Sequence, residues 1–147
     1  MNGLAALLLL ASCASQPCPW DGNEIEPPAD VEVVYKAWRE RYGKMPKLCY
    51  ETPEAYRYDA WDWCPRDYDG CLTTWLGETH ICRGILLRSR YVDNACMYAH
   101  ELTHWLLFCT GAHLDGQPLF GDARHQHPAW REQFLGPVCQ LLKDDAT

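Results

Sequence analysis

The chain has 147 residues, and 13 Lys and Arg stand against 20 Asp and Glu, for a net charge of −7. That length supports one domain with a real core, and an acidic chain with no Lys/Arg cluster argues against a nucleic-acid partner. Seven Trp and eight Tyr point first to an aromatic-rich core, since both side chains are heavily buried on average, and second to sugar or peptide binding.

The chain opens on an apolar run of Leu and Ala at residues 4–10, and Leu10-Ala11-Ser12-Cys13 follows at once. The run is too short to span a bilayer. It resembles a bacterial lipoprotein signal, in which small residues precede a cysteine. The resemblance implies removal of residues 1–12, a diacylglyceryl group on the Cys13 sulfur and attachment to a membrane through that anchor. Ala14, where an Asp would retain such a protein at the inner membrane, implies sorting to the outer membrane. Met1-Asn2-Gly3 lacks the usual basic residue, and an ordinary secretory peptide with Cys13 incidental is the alternative. Residues 13–29 carry Pro17, Pro19, Pro27 and Pro28 and read as the lipidated cysteine and a tether. The domain is then residues 30–147.

Nine cysteines are present. With Cys13 lipidated the remainder is even, and in an exported chain it reads as a disulfide framework of up to four bridges. Cys64 and Cys71 bracket a turn-like segment and form a local pair. Cys96 and Cys109 flank the most apolar helix of the chain and can tie it to its neighbours. No C-x-x-C occurs, which argues against a cysteine zinc cluster.

Asp30 caps an amphipathic helix through Arg41, with Val31, Val34, Tyr35 and Trp38 on one face and Gly43 as the stop. Two short strands are expected at residues 47–51 and 56–63, and two more at 71–76 and 79–87, with Gly77-Glu78 as the turn between the last two. Residues 93–109 read as a largely buried helix, with Asp93 and Asn94 as cap residues and Gly111 beyond its end. A loop at 110–128 carries three histidines, and a last helix begins near Ala129, interrupted at Gly136-Pro137.

The buried helix contains His100-Glu101-Leu102-Thr103-His104, an H-E-x-x-H motif. Positions i and i+4 project from one helix face, so His100 and His104 can share one Zn²⁺, while Glu101 reaches the ion's bound water as a general base. A catalytic zinc takes a third protein ligand and keeps one position for water. His125 is favoured, with Asp122 as the acceptor that orients a ligating imidazole. His127 and His113 are the alternatives, followed by Asp115, Asp122 itself and Glu132. Tyr91, Tyr98, His113 and His127 are candidate donors to an oxyanion. His80 reads as structural.

The order of helix, small sheet, motif helix and returning loop resembles a minimal zincin metallopeptidase. The resemblance covers roughly residues 30–135, and only the pentapeptide is specific. Leu107 and Thr110 stand where the metzincin pattern has Gly and His, so that branch does not fit. The resemblance implies an α+β fold, disulfide-stapled here, with a small, mostly antiparallel sheet packed on the motif helix. Residues 79–87 would form the edge strand that pairs with substrate. It further implies one zinc per chain and a peptide or protein substrate. Two other readings stay open: a non-enzymatic, disulfide-rich surface lipoprotein that binds zinc or a partner, and a hydrolase of peptidoglycan cross-links.

Overall fold

The computed structural model describes residues 18–59, 64, 68–76, 81–112, 114, 121–122, 124–131 and 133–144. Cys13, His80, His113, Asp115, Glu132 and the Gly77-Glu78 turn lie outside the described residues.

Helix α1 (Val31–Tyr42) starts where Asp30 Oδ1 accepts the Glu32 N–H at 2.9 Å, and it stops at Gly43, whose positive φ of 89° breaks the helical path. It buries Val34, Tyr35 and Trp38. The following segment, Lys47–Tyr50, is a 3₁₀ turn and not the expected strand. Its Cys49 carbonyl accepts from the Tyr35 hydroxyl at 2.7 Å and from the Trp105 indole at 3.1 Å. Side chains thus take the backbone group that a strand ladder would have used.

Three strands follow: β1 (Glu54–Tyr58), β2 (Gly70–Leu76) and β3 (Ile81–Arg88). The sheet order is β1-β3-β2. β1 runs parallel to β3 and β2 antiparallel to it, so the sheet is mixed and not mostly antiparallel. β3, expected at the edge, is the central strand. Ile85, Leu86 and Leu87 are each 0% exposed, which a strand covered on both faces requires. Ile85 and Leu87 enter the main core, while Leu86 enters a second cluster with Trp20, Tyr56 and Tyr58. The continuous apolar run Ile85-Leu86-Leu87 is the mark of such a strand, where an edge strand alternates.

Helix α2 (Ala95–Cys109) is capped by Asn94, whose side chain accepts the Met97 N–H at 2.9 Å. Residues 101–107 are all buried. The last helix, α3 (Leu135–Asp144), is not interrupted at Gly136-Pro137. Pro137 falls in its first turn, where the missing N–H has no intrahelical partner to lose. The helix expected from Ala129 is a separate 3₁₀ turn, Pro128–Trp130.

Four disulfides close the fold: Cys18–Cys82, Cys49–Cys109, Cys64–Cys71 and Cys96–Cys139. The first revises the tether. From Cys18 onward the segment belongs to the folded body: Trp20 is 3% exposed and lies against Gly84, and Glu24 bridges to Tyr56. A side chain on Gly84 would meet the Trp20 ring at 2.9 Å, so the bare backbone there is what admits the indole. The aromatic residues fill cores as composition suggested, with Tyr35, Trp38, Tyr98 and Trp105 each at most 2% exposed. The four bridges fit a chain that folds in an oxidising, extracytoplasmic compartment. Among the described residues no helix is long and apolar enough to cross a membrane.

The bridges differ in the chain they close. Cys49–Cys109 spans a separation of 60 residues and Cys64–Cys71 only 7. On loop entropy, removing both cysteines of the long bridge as alanines costs about 4 kcal/mol, and removing the short one about 2.5 kcal/mol. Guanidinium unfolding of the two double variants checks this order, and a larger loss from the Cys64–Cys71 pair would contradict it.

Candidate functional site

Helix α2 presents two faces to two surroundings. His100 and His104, one turn apart, face the loop that precedes α3. Glu101 turns toward the sheet and packs over Gly70 of β2. A Cβ on Gly70 would lie 3.0 Å from Glu101 Oε1, so glycine at that point leaves the room the carboxyl occupies.

The loop delivers the third imidazole. His100, His104 and His125 each offer a ring nitrogen, and these atoms all lie within 4.8 Å of one another. Nε2 of His100 and Nε2 of His125 are 3.1 Å apart. His104 donates Nδ1–H to the Gly121 carbonyl at 2.7 Å, which fixes the tautomer and leaves Nε2 as its ligand atom. These three histidines can hold a metal ion.

Local backbone geometry explains how the loop reaches the helix. Gly121 has φ 47°, and any Cβ there would stand 1.8 Å from the His104 carbonyl oxygen. Only glycine permits that approach. Asp122 and His125 both adopt left-handed φ, 55° and 54°, on either side of a turn closed by His125 N–H donating to the Asp122 carbonyl at 2.9 Å. Asp and His tolerate this region better than most residues.

Asp122 does not orient a ligating imidazole as expected. It is 0% exposed, and its Oδ2 accepts from the Trp130 indole at 2.6 Å and from the His127 backbone N–H. Burial works to raise its pKa, but these hydrogen bonds outweigh it and hold the carboxyl below the usual carboxylate range. The carboxylate organises the loop, and the Gly121 carbonyl takes the imidazole N–H instead. His127 is not part of the cluster. Its Nδ1 accepts the Ala129 N–H at 3.1 Å and caps the 3₁₀ turn, with its ring edge-on to Tyr42. Tyr98 lies in the main core, and Tyr91 sits beneath the Arg90 guanidinium.

Trp130, which the sequence did not single out, touches the whole cluster. Its ring centroid is 4.9 Å from that of His100, 4.4 Å from His104 and 4.4 Å from His125. Its own N–H is held by Asp122. The indole is a floor that fixes three rings at once. Gly121, Gly70 and Trp130 escaped sequence reasoning because each acts by contact. The one available signal was Gly121-Asp122 within a histidine-bearing loop.

The electrostatics favour neutral ligands. Burial, with His104 and His125 close by, pushes the His100 pKa down to about 3. Burial lowers His125 as well, against the pull of Asp122. Glu101 is 3% exposed, and burial pushes its carboxyl up to about 8, partly offset by the Leu72 backbone. Among the described residues its Oε2 has no hydrogen-bond partner. A buried acceptor of this kind, one residue from the imidazole cluster, fits a bound water and a cation beside it.

No protein-family model matches this chain, and neither a curated protein nor a solved structure matches it.

The Glu101 shift has a stability consequence in chelator-treated protein. Its pKa is about 8 in the folded chain against 4.5 for a free glutamate side chain. Between those values the unfolded chain loses the proton while the folded chain keeps it, so stability is full below the lower value and falls as pH rises through the window. Glu101→Gln removes this dependence. The difference between the two proteins is expected to grow from pH 4 to pH 9 by on the order of 3–5 kcal/mol. Parallel pH profiles in urea unfolding would show that the carboxyl is not desolvated.

Proposed function

We propose that this chain is a zinc-dependent peptide-bond hydrolase of zincin type. It carries one Zn²⁺ on His100, His104 and His125, and it is exported and held at a membrane through a lipid on Cys13. The observation that carries the reading is the convergence of three imidazole nitrogens, with the buried Glu101 next in sequence to His100 and its Oε2 without a partner among the described residues. The His100 and His125 Nε2 atoms stand 3.1 Å apart and all three ligand nitrogens lie within 4.8 Å, so the three imidazoles could share one ion. All eight described cysteines are in disulfides, so among the described residues the ligand set is imidazole alone, which suits zinc among the first-row metals. Three protein ligands also leave a position for water, as a catalytic site needs and a closed structural site does not.

When bound, the ion supplies Lewis acidity and lowers the pKa of water toward about 7. Glu101 then takes a proton from the attacking water and hands it to the leaving amine. Glu101, with its raised pKa, would be brought toward the range a general base needs if the bound ion's charge reached it. Gly121 and Trp130 hold the imidazoles in register, and Trp130 keeps water from one side of the cluster. Among the described residues β2 has a neighbour on one side only. Its other side offers backbone N–H and C=O groups to an extended peptide, so β2 takes the role first assigned to residues 79–87.

Metal content of the purified, dialysed chain is expected to be one zinc, and His125→Ala is expected to weaken zinc binding at least about tenfold, in the range seen when a supporting contact of a metal site is lost. His127→Ala leaves zinc affinity unchanged. Stoichiometric zinc retained in His100→Ala would sink the assignment.

Glu101→Gln is expected to keep its zinc and to lose about 10²–10⁴-fold in peptide hydrolysis, the usual contribution of a positioned general base. Undiminished hydrolysis by that variant would remove Glu101 from the mechanism.

A further inference from the structure

The chain enters the folded body at one end of the sheet. Cys18 is joined to Cys82, the second residue of β3. Cys82 packs with Trp20, Tyr56 and Leu86 on the face of the sheet away from α2. By the two-residue period its neighbour Ile81 lies on the opposite face, with Ile85 and Leu87. Ile81 pairs with Leu76, the last residue of β2, which shares that face with Leu72. Leu72 and Ile85 are buried with α2 in the main core, but Leu76 and Ile81 are 67% and 53% exposed. The apolar face of the sheet thus runs on beyond the part that the helix covers.

A single exposed apolar side chain is ordinary. This pair is set apart by what is tied beside it. A lipid on Cys13 leaves Ala14-Ser15-Gln16-Pro17 between the anchor and Cys18. Fully extended, that leash reaches at most about 18 Å. A domain of this length is roughly 35 Å across. The point of attachment therefore stays on the half of the domain that faces the bilayer, and it is one residue from Ile81. Two apolar side chains hold a free protein to a membrane too weakly to matter, since even one myristoyl chain binds only marginally. On a short leash they act at an effective concentration on the order of millimolar, and a contact too weak alone becomes populated.

We infer that the end of the sheet marked by Leu76 and Ile81 is a membrane-contact surface, seated at the headgroup–acyl boundary of the bilayer that holds the Cys13 lipid. The inference rests on the lipid-anchored part of the proposed function and not on the hydrolase. It also sets the height of the imidazole helix. β2 runs seven residues from Gly70, beneath Glu101, to Leu76. The contact therefore holds the Glu101 end of that strand at most about 20 Å from the lipid surface.

Isoleucine methyl resonances read the contact directly, because the chain has three isoleucines, Ile25, Ile81 and Ile85. The Ile25 N–H donates to the Ala55 carbonyl, and Ala55 pairs with Ile85. Both controls thus lie further along the sheet than Ile81, by roughly 13 Å. The full lipidated chain is placed in nanodiscs of phosphatidylethanolamine and phosphatidylglycerol that carry a gadolinium-chelate lipid. Paramagnetic broadening falls with the sixth power of distance, so over that strand length Ile81 is expected to broaden at least about fivefold more than Ile25 or Ile85. Leu76→Glu sets a charge against the acyl boundary and is expected to cut the Ile81 broadening at least about twofold. Equal broadening of the three methyls, or no change in Leu76→Glu, overturns the inference. The mass of the chain extracted from cell membranes scores the anchor separately. A chain with no diacylglyceryl group on Cys13 removes the anchor and the contact with it, while a lipidated chain with equal broadening removes the contact and leaves the anchor. A concentration-dependent shift of Ile81 in lipid-free Cys13→Ser protein assigns the pair to a second copy and overturns the bilayer as its occupant.

Discussion

The fold depends on burying ionisable groups on a helix that cannot move. α2 takes Glu101 and His104 to 3% and 8% exposure. Desolvating such groups opposes folding, and an oxygen with no partner adds to the cost. Leu102, Trp105, Leu106 and Leu107 on the same helix are each 0% exposed and offset it. Covalent bonds at both ends, to Cys139 through Cys96 and to Cys49 through Cys109, remove the alternative in which the helix end frays and rehydrates its carboxyl.

The loop before α3 meets a second demand, to bring one imidazole to two others without a regular element to carry it. The solution is a short chain of contacts. Gly121 is admitted against the His104 backbone, its carbonyl accepts that residue's Nδ1–H, and Asp122 ties Trp130 beneath all three rings. Each contact fixes two things together. The Gly121 bond sets the His104 tautomer and the height of the loop, and the Asp122 bond sets the indole and the path toward His127. The αL backbone at Asp122 and His125 is the local strain that this economy requires.

What the sequence made legible follows from how local each signal is. α1 is readable from Asp30, the spacing of Val34, Tyr35 and Trp38, and Gly43, because caps and period are set within a few residues. α2, its Asn94 cap and the i, i+4 histidines are local in the same sense, as was the Cys64–Cys71 pair. The position of β3 depends on which strands lie beside it, and only the unbroken Ile85-Leu86-Leu87 run hinted at two covered faces. The segment at Lys47–Tyr50 was misread because its backbone partners, Tyr35 and Trp105, are distant in sequence. The packing of Trp20 on Gly84 was hidden for the same reason, and prolines around it resemble a tether.

The third histidine shows where chemistry and geometry divide. His125 and His127 are alike in residue type, two positions apart, and within five residues of the same aspartate. Backbone conformation separates them: His125 is left-handed and turned to the helix, while His127, extended at φ −65° and ψ 142°, folds its ring back onto the Ala129 N–H. An imidazole already engaged as an acceptor at Nδ1 is spent on capping. One with its Nε2 3.1 Å from that of His100 is not. Because burial keeps His100 uncharged near neutrality, ligation there asks for a tautomer and not for the loss of a proton, so the site reaches its binding state by the same desolvation that α2 and its disulfides maintain.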